Sequence, residues 1–137
     1  MKKRIAAIDY GSKRVGLAIS DENQRIALPW IIVQVQQNNP LQSTLRALAP
    51  RLHEIERILV GLPLLMSGKH GEMAEAAKAF AASLQAKLEI PIELWDERLS
   101  SKQIERDSTL LRKGRSATID SAAAALFLQS YLDAKSY

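Results

Sequence analysis

The first apolar run of the chain, residues 5–8, shows no alternation of polar and apolar side chains. Such a run is typical of a central strand in a sheet that is covered on both faces. A second apolar run, Val15–Ile19, follows a short polar link, and the stretch from about Ile26 to Gln36 is rich in β-branched residues. Pro29 favours an edge position or a bulge for this third strand. The pattern predicts three antiparallel strands in a meander.

Helical spacing of apolar residues begins after this meander. It predicts a helix from Leu41 to Ile55, which Pro50 either kinks or divides into two pieces. In the last predicted helix we expect Ile119, Ala122, Ala123 and Leu126 to face inward. The remaining predicted elements are strands at residues 58–60 and 91–95, and helices at about 73–88, 101–111 and 119–133.

This order of elements predicts an α/β fold, a mixed five-stranded sheet with helices on both faces. Ligands of such sheets bind beyond the carboxyl ends of the strands. The chain has 137 residues, of which 47% are hydrophobic and 25% charged, and no linker or repeat divides it. We therefore expect one domain over residues 1–137.

The composition excludes several kinds of site and location. With no cysteine there is no disulfide framework, thiolate nucleophile or Cys-based zinc site, which fits a reducing cytosol. The apolar run near the amino end is cut off by Asp9, and no run approaches the roughly 20 residues of a membrane span. We expect a cytoplasmic protein with no membrane partner. The net charge of +4, from 19 basic and 15 acidic residues, is compatible with a nucleic-acid partner.

Acidic residues stand where predicted strands end. Asp9 closes the first strand, Asp96 and Glu97 close the last, and Asp120 opens the final helix. If those two strands are neighbours, their carboxyl ends lie only about 5–10 Å apart. Singly, each acid is more often a turn former, a helix-dipole partner or half of an ion pair. Their conjunction, with Gly11 beside Asp9, favours a site of converging carboxylates.

Converging carboxylates predict a metal site. Oxygen ligands favour Mg²⁺ or Mn²⁺, and two such ions about 4 Å apart suit hydrolysis of a phosphodiester. Side chains alternate along a strand, so only one of Asp96 and Glu97 can face Asp9. We expect the longer Glu97 to be the ligand and catalytic residue with Asp9 and Asp120, while Asp96 and Gly11 support the site.

Basic residues cluster in the predicted loops. We expect them to hold a nucleic-acid backbone through its phosphates, although solvated loops would show the same pattern. A role for His70 stays open. The candidates are Lys13, Arg14, Lys69, Arg98, Arg112, Lys113 and Arg115.

Four blocks of the sequence resemble the signature motifs of a known family, in the same order and over nearly the whole chain. They are "DYGSKRVGLAISD" (residues 9–21), "ILVGLPLLMSGKHGEMA" (58–74), "WDERLSSKQIE" (95–105) and "TIDSAAAALFLQSYL" (118–132).

These blocks resemble the YqgF family, also called RuvX-like, of bacterial pre-16S rRNA nucleases in the RuvC-like, RNase H-like superfamily. The resemblance implies an RNase H-like fold, divalent-metal phosphodiester hydrolysis, and an acidic site at Asp9, Glu97 and Asp120. It also implies maturation of the 5′ end of 16S rRNA in the cytoplasm. Leu65 departs from the family, which often has Asn there, and puts one loop contact in question.

Other functions remain open at this stage. The family was earlier described as Holliday junction resolvases, which implies branched DNA rather than pre-16S rRNA on the assembling small ribosomal subunit. A symmetric junction requires a dimer, whereas one RNA end does not, so we expect a monomer or weak homodimer. Asp9-x-Gly11 also resembles the phosphate-binding loop of actin-like nucleotide-binding domains. A non-catalytic RNA-binding module is the remaining alternative.

Overall fold

A computed structural model describes residues 3–63, 67, 71–97 and 116–135, with the side chains of the last helix described from residue 123. The predicted helix at about 101–111 lies outside these residues. The elements are β1 (Arg4–Asp9), β2 (Arg14–Ser20), β3 (Ala27–Gln34), α1 (Pro40–Leu48), a 3₁₀ helix (Ala49–Glu54), β4 (Ile55–Leu62), α2 (Glu72–Lys87), β5 (Ile92–Asp96) and α3 (Ser116–Lys135).

The strands form one sheet in the order β3-β2-β1-β4-β5. Strands β1, β2 and β3 pair antiparallel, whereas β4 lies parallel to both β1 and β5. The predicted mixed five-stranded sheet is confirmed. The first and last strands are not neighbours, because the crossover after β3 places β4 against β1 and the next crossover adds β5 outside it.

The two faces of β1 explain its uninterrupted apolar run. Ala6 and Ile8 belong to a core that α1 and α2 cover. Ile5 and Ala7 belong to a second core on the opposite face, which α3 covers. Every residue from 5 to 8 is fully buried. Helices on both faces therefore place β1 at the centre of the fold, with its carboxyl end at one edge of the sheet.

Two prolines lie where the regular structure of an element changes, one after the end of α1 and one in β3. The helix predicted up to Ile55 ends at Leu48, and Pro50 lies in the first turn of the 3₁₀ helix, where its missing N–H costs nothing. Ile55 was wrongly predicted as helical, since it begins β4. Pro29 lies on the edge strand β3, and the pairing register shifts between Leu17 and Ala18 opposite this part of β3.

The buried face of α3 differs from the predicted one where its side chains are described, which leaves out Ile119 and Ala122. Phe127, Leu128 and Tyr131 are buried, whereas Ala123 and Leu126 are only half-buried. Residues 122–128 are all apolar, so the pattern contains no phase that distinguishes one face of the helix from another. None of the helices in the described part of the chain has the length and apolar character needed to cross a membrane.

Candidate active site

Asp9 is the last residue of β1 and lies at the carboxyl edge of the sheet. The preceding residue, Ile8, is fully buried, while Asp9 itself is half-buried. Its Cα partner in β2 is Gly16, which carries no side chain beside it. The apolar strand thus delivers a carboxylate to the point where the chain leaves the core.

The turn between β1 and β2 holds a tight conformation next to Asp9. A Cβ atom on Gly11 would collide with the backbone carbonyl oxygen of Arg14. Because that oxygen belongs to the backbone, it cannot yield as a flexible side chain would. The ring of Tyr10 packs on Phe80 of α2, with ring centroids 4.6 Å apart. The close return of the chain at the start of β2 therefore requires a glycine at position 11.

Glu97 follows β5 directly and stays attached to the neighbouring strand. Its backbone N–H donates to the carbonyl oxygen of Leu62, the last residue of β4, over 3.2 Å. The side chain then passes over Gly61 of β4. A Cβ atom at that glycine would lie 2.9 Å from both Cγ and Cδ of Glu97. Glu97 thereby reaches β1 across an intervening strand.

The carboxyl groups of Glu97 and Asp9 are joined by a side-chain hydrogen bond. Together, four causes raise the pKa of the Glu97 carboxyl to about 8: burial is the largest, followed by the negative charge of Asp9, the hydrogen bond to Asp9 and the charge of Asp96. Glu97 consequently holds a proton near neutral pH and shares it with Asp9. Asp96 acts on this pair through its charge, from the end of β5.

The donor chemistry of this pair fits a divalent cation. Carboxylate oxygens are hard ligands that suit Mg²⁺ or Mn²⁺, and a cation between them would replace the shared proton and remove the repulsion of two anions. Asp120, the predicted third ligand, belongs to α3, but its side chain lies outside the described residues. Among the side chains that are described, no three acidic, His or Cys residues form a metal-binding cluster.

An open groove of about 360 Å³ extends from Asp9 along the β1–β2 turn. Lys13 and Arg14 are both exposed and both line it, which places two of the predicted phosphate contacts in the same groove as Asp9. Its lining residues are Asp9, Tyr10, Gly11, Ser12, Lys13, Arg14 and Met73. The other predicted contacts, Lys69, Arg98, Arg112, Lys113 and Arg115, lie outside the described residues, as does His70.

Two residues of this region escaped the sequence analysis. Met73 has the spacing of a buried helix-face residue, four positions before Ala77, yet it is 68% exposed and lines the groove at the start of α2. Gly61 directly follows the apolar run at residues 58–60 that predicts a strand. Its signal in the sequence is a glycine at the end of an apolar strand, which indicates a close approach of another group. The pattern alone does not reveal that the group is Glu97.

Known proteins match this chain over nearly its full length. A family model described as "RuvX: Holliday junction resolvase" matches residues 3–134. A protein of Protochlamydia amoebophila named "Putative pre-16S rRNA nuclease" is 44% identical over 141 residues, covering 96% of this chain and 94% of its own. A protein of Listeria monocytogenes with the same name is 40% identical over 134 residues, covering 95% and 97%.

Among solved structures, Thermus thermophilus RuvC in complex with a Holliday junction substrate superimposes with a TM-score of 0.59. It covers 97% of this chain and 95% of its own, at 13% sequence identity. At this identity the likeness concerns the fold. It confirms the predicted RuvC-like, RNase H-like architecture.

Proposed function

The chain belongs to the RuvX family, and we propose on this premise that it is a divalent-metal-dependent endonuclease that hydrolyses phosphodiester bonds in structured nucleic acid. The observation that carries the proposal is the hydrogen-bonded carboxyl pair of Asp9 and Glu97 at the carboxyl edge of the sheet. Placing two acids together is unfavourable unless a cation or a proton lies between them. Perturbed carboxyl pairs of this kind concentrate at functional sites.

Asp9 and Glu97 would hold the metal, with Asp120 as the third ligand. Bound there, one or two Mg²⁺ or Mn²⁺ ions supply the positive charge that stabilises the attacking and leaving oxygens of a phosphodiester. Glu97 must release its proton before it can act as a ligand, because metal ligands are deprotonated. The negative charge of Asp96 opposes the release of this proton. A bound cation is therefore favoured over two ionised carboxylates with no positive charge between them.

The exposed cations of the groove would position the substrate. Lys13 and Arg14 lie on the same turn as Gly11, so a phosphate held by either one is close to Asp9. Lys69, Arg98, Arg112, Lys113 and Arg115 would extend this surface along the nucleic-acid backbone. Phosphate contacts of this kind give affinity and register without reading the base sequence. Specificity for the substrate would then come from its shape.

We propose pre-16S rRNA as the substrate, with processing at its 5′ end in the cytoplasm during assembly of the small ribosomal subunit. The names of the relatives from Protochlamydia amoebophila and Listeria monocytogenes support RNA. The description of the family supports a second candidate, resolution of Holliday junctions. The two differ in symmetry, since a two-fold junction needs a homodimer whereas one RNA end needs only a monomer.

One experiment separates these functions. The purified full chain is incubated with precursor rRNA carrying its 5′ leader and, in parallel, with a synthetic four-way DNA junction, each with Mn²⁺ and with EDTA. We expect Mn²⁺-dependent cleavage of the RNA and none in EDTA. Preferential cutting of the junction would indicate a resolvase. Binding without cleavage would indicate a non-catalytic RNA-binding module, and saturable binding of ATP would indicate an actin-like nucleotide-binding domain.

A further inference from the structure

The position of β4 creates a steric problem for the candidate active site. Asp9 ends β1 and Glu97 follows β5, but β4 lies between these strands. Adjacent strands are about 4.8 Å apart, so the Glu97 side chain must span two such spacings across the end of β4. The residue over which it passes is Gly61. Any larger residue at that point would occupy the path.

We propose that Gly61 is a positioning residue of this site, and that the missing side chain at this position is what allows Glu97 to reach Asp9. The catalytic consequence of this inference rests on the proposed nuclease function, whereas the contact of Glu97 with Asp9 does not. A Cβ atom at Gly61 would lie 2.9 Å from Cγ and from Cδ of Glu97, and closer still to its Oε1. Heavy atoms without a bond between them do not approach a Cβ atom so closely, so one group must move.

The backbone around Gly61 is too firmly paired to move. Gly61 pairs with Trp95, and Leu62 pairs with Asp96, in the parallel register of β4 and β5. The N–H of Glu97 also donates to the Leu62 carbonyl. The Glu97 side chain, in contrast, has rotatable bonds and is the only flexible partner in the contact. A methyl group at position 61 would therefore displace the carboxyl group and leave the sheet in place.

The contrast between a fixed backbone and a movable Glu97 side chain predicts that Gly61→Ala keeps the fold and weakens the metal site. The folded state should persist, because alanine loses less backbone entropy than glycine in a strand and because the displaced carboxyl group relieves the forced proximity of two acids. The affinity for Mn²⁺, measured by titration calorimetry with the metal alone, should fall by about tenfold or more, as is usual when the group that orients a ligand is lost. Cleavage should lose kcat while KM for the RNA stays unchanged, since the phosphate contacts are elsewhere.

Two controls isolate the contact with Glu97. Val60→Ala shortens the fully buried side chain next to Gly61 and should lower stability while leaving Mn²⁺ affinity within about twofold of wild type. In a Glu97→Ala background the crowded atoms are absent, so Gly61→Ala should cause no further loss of Mn²⁺ affinity. Wild-type Mn²⁺ affinity and kcat in Gly61→Ala would overturn the inference.

If Gly61→Ala does not fold, the same substitution must fold in the Glu97→Ala background; failure there places the strain in the backbone and overturns the inference. If the wild-type chain neither binds Mn²⁺ nor cleaves, the proposed function fails. The inference is then tested in EDTA by a double-mutant cycle of Asp9→Asn and Glu97→Gln on thermal stability. If the two substitutions are coupled in the wild-type background and this coupling disappears with Gly61→Ala, the inference is supported. If the coupling persists unchanged, the inference is overturned.

Discussion

Glu97 hydrogen-bonds to Asp9 across the end of a strand to which neither residue belongs. Two carboxyl groups in contact at the edge of a buried strand destabilise the fully ionised state, and burial of Glu97 increases that cost. The chain tolerates this arrangement because a proton occupies the pair, and a divalent cation would occupy it better. The relationship determines how the protein should respond to pH, to metal and to neutralisation of either acid.

The metal-free protein should lose stability as the pH rises. Glu97 has its folded-state pKa raised from 4.5 to about 8, so the folded state binds a proton that the unfolded state has released throughout this window. The free energy of unfolding should fall between about pH 4.5 and 8, by up to about 1.4 kcal/mol per pH unit, and level off above pH 8. Thermal unfolding in EDTA from pH 4 to 9 measures the effect.

Glu97→Gln is the control for this pH dependence. The amide cannot ionise, so the variant should gain stability relative to wild type as the pH rises from 5 to 8. Added Mn²⁺ should stabilise the wild-type chain more at pH 8 than at pH 6, because the proton must leave before the metal binds. Parallel pH profiles for the variant and the wild type would show that Glu97 does not hold the extra proton.

Neutralising either acid should slow cleavage strongly without unfolding the chain. Asp9→Asn and Glu97→Gln each remove a charged ligand, and we expect kcat to fall by about 10²-fold or more. Glu93→Gln is the matched control on β5. Its carboxylate pairs with Arg57 over 3.2 Å and is 38% exposed, a surface ion pair that contributes little. Cleavage by both site variants at the wild-type rate, with Glu93→Gln also active, would rule out the carboxyl pair as the catalytic centre.

Ser20→Ala should test an element of the fold that no local pattern reveals. The fully buried Ser20 hydroxyl accepts from the Ile5 N–H and donates to the Asp21 carbonyl oxygen, each over 2.9 Å. The register of β1 against β4 shifts between Arg4 and Ile5, and this hydroxyl gives the Ile5 N–H its partner. Loss of the hydroxyl should lower the free energy of unfolding, measured with urea, by about 1–3 kcal/mol.

The exposed Ser83 on α2 gives the control for that measurement, since Ser83→Ala should be neutral or slightly stabilising in a helix. Cleavage at 25 °C should be unchanged in both variants. Equal stability of Ser20→Ala and wild type would mean that water replaces the hydroxyl.

The local elements of the fold were accessible from the sequence because each is encoded by nearby residues. The apolar run at 5–8 has no polar face, and the structure places alternate residues of it in two separate cores. The order of the strands, in contrast, is not encoded by nearby residues. Whether β4 or β5 lies next to β1 depends on how the crossovers pack, and the sequence of β1 does not indicate which strand is its neighbour.

This limit applies to the candidate site as well. Asp9 and Glu97 stand out in the sequence because each is an acid at a strand end. Gly61 becomes informative only when the order of the strands is known, since its missing side chain matters to a residue 36 positions further along the chain. Met73 resembles a core residue because it stands four positions before the buried Ala77, yet the buried face of α2 begins at Ala74 and leaves Met73 exposed.

The turn that carries Lys13 should contribute to substrate binding rather than to the chemical step. Lys13→Ala removes one exposed cation from the groove beside Asp9, so KM for the RNA should rise while kcat stays unchanged. The slope of log K against log salt concentration should fall in magnitude by about 0.7–0.9 for one lost phosphate contact. Filter binding in EDTA at several salt concentrations measures this slope without cleavage.

Lys87→Ala is the matched control for that substitution. Lys87 is also exposed, but it ends α2 and lies about 21 Å along the helix from Met73, the residue of α2 that lines the groove. It lines a different groove with His53 and Leu88. Its loss should leave both KM and the salt slope unchanged. An equal loss of affinity in the two variants would mean that the RNA responds to net charge, and the assignment of the substrate path to the β1–β2 turn would be wrong.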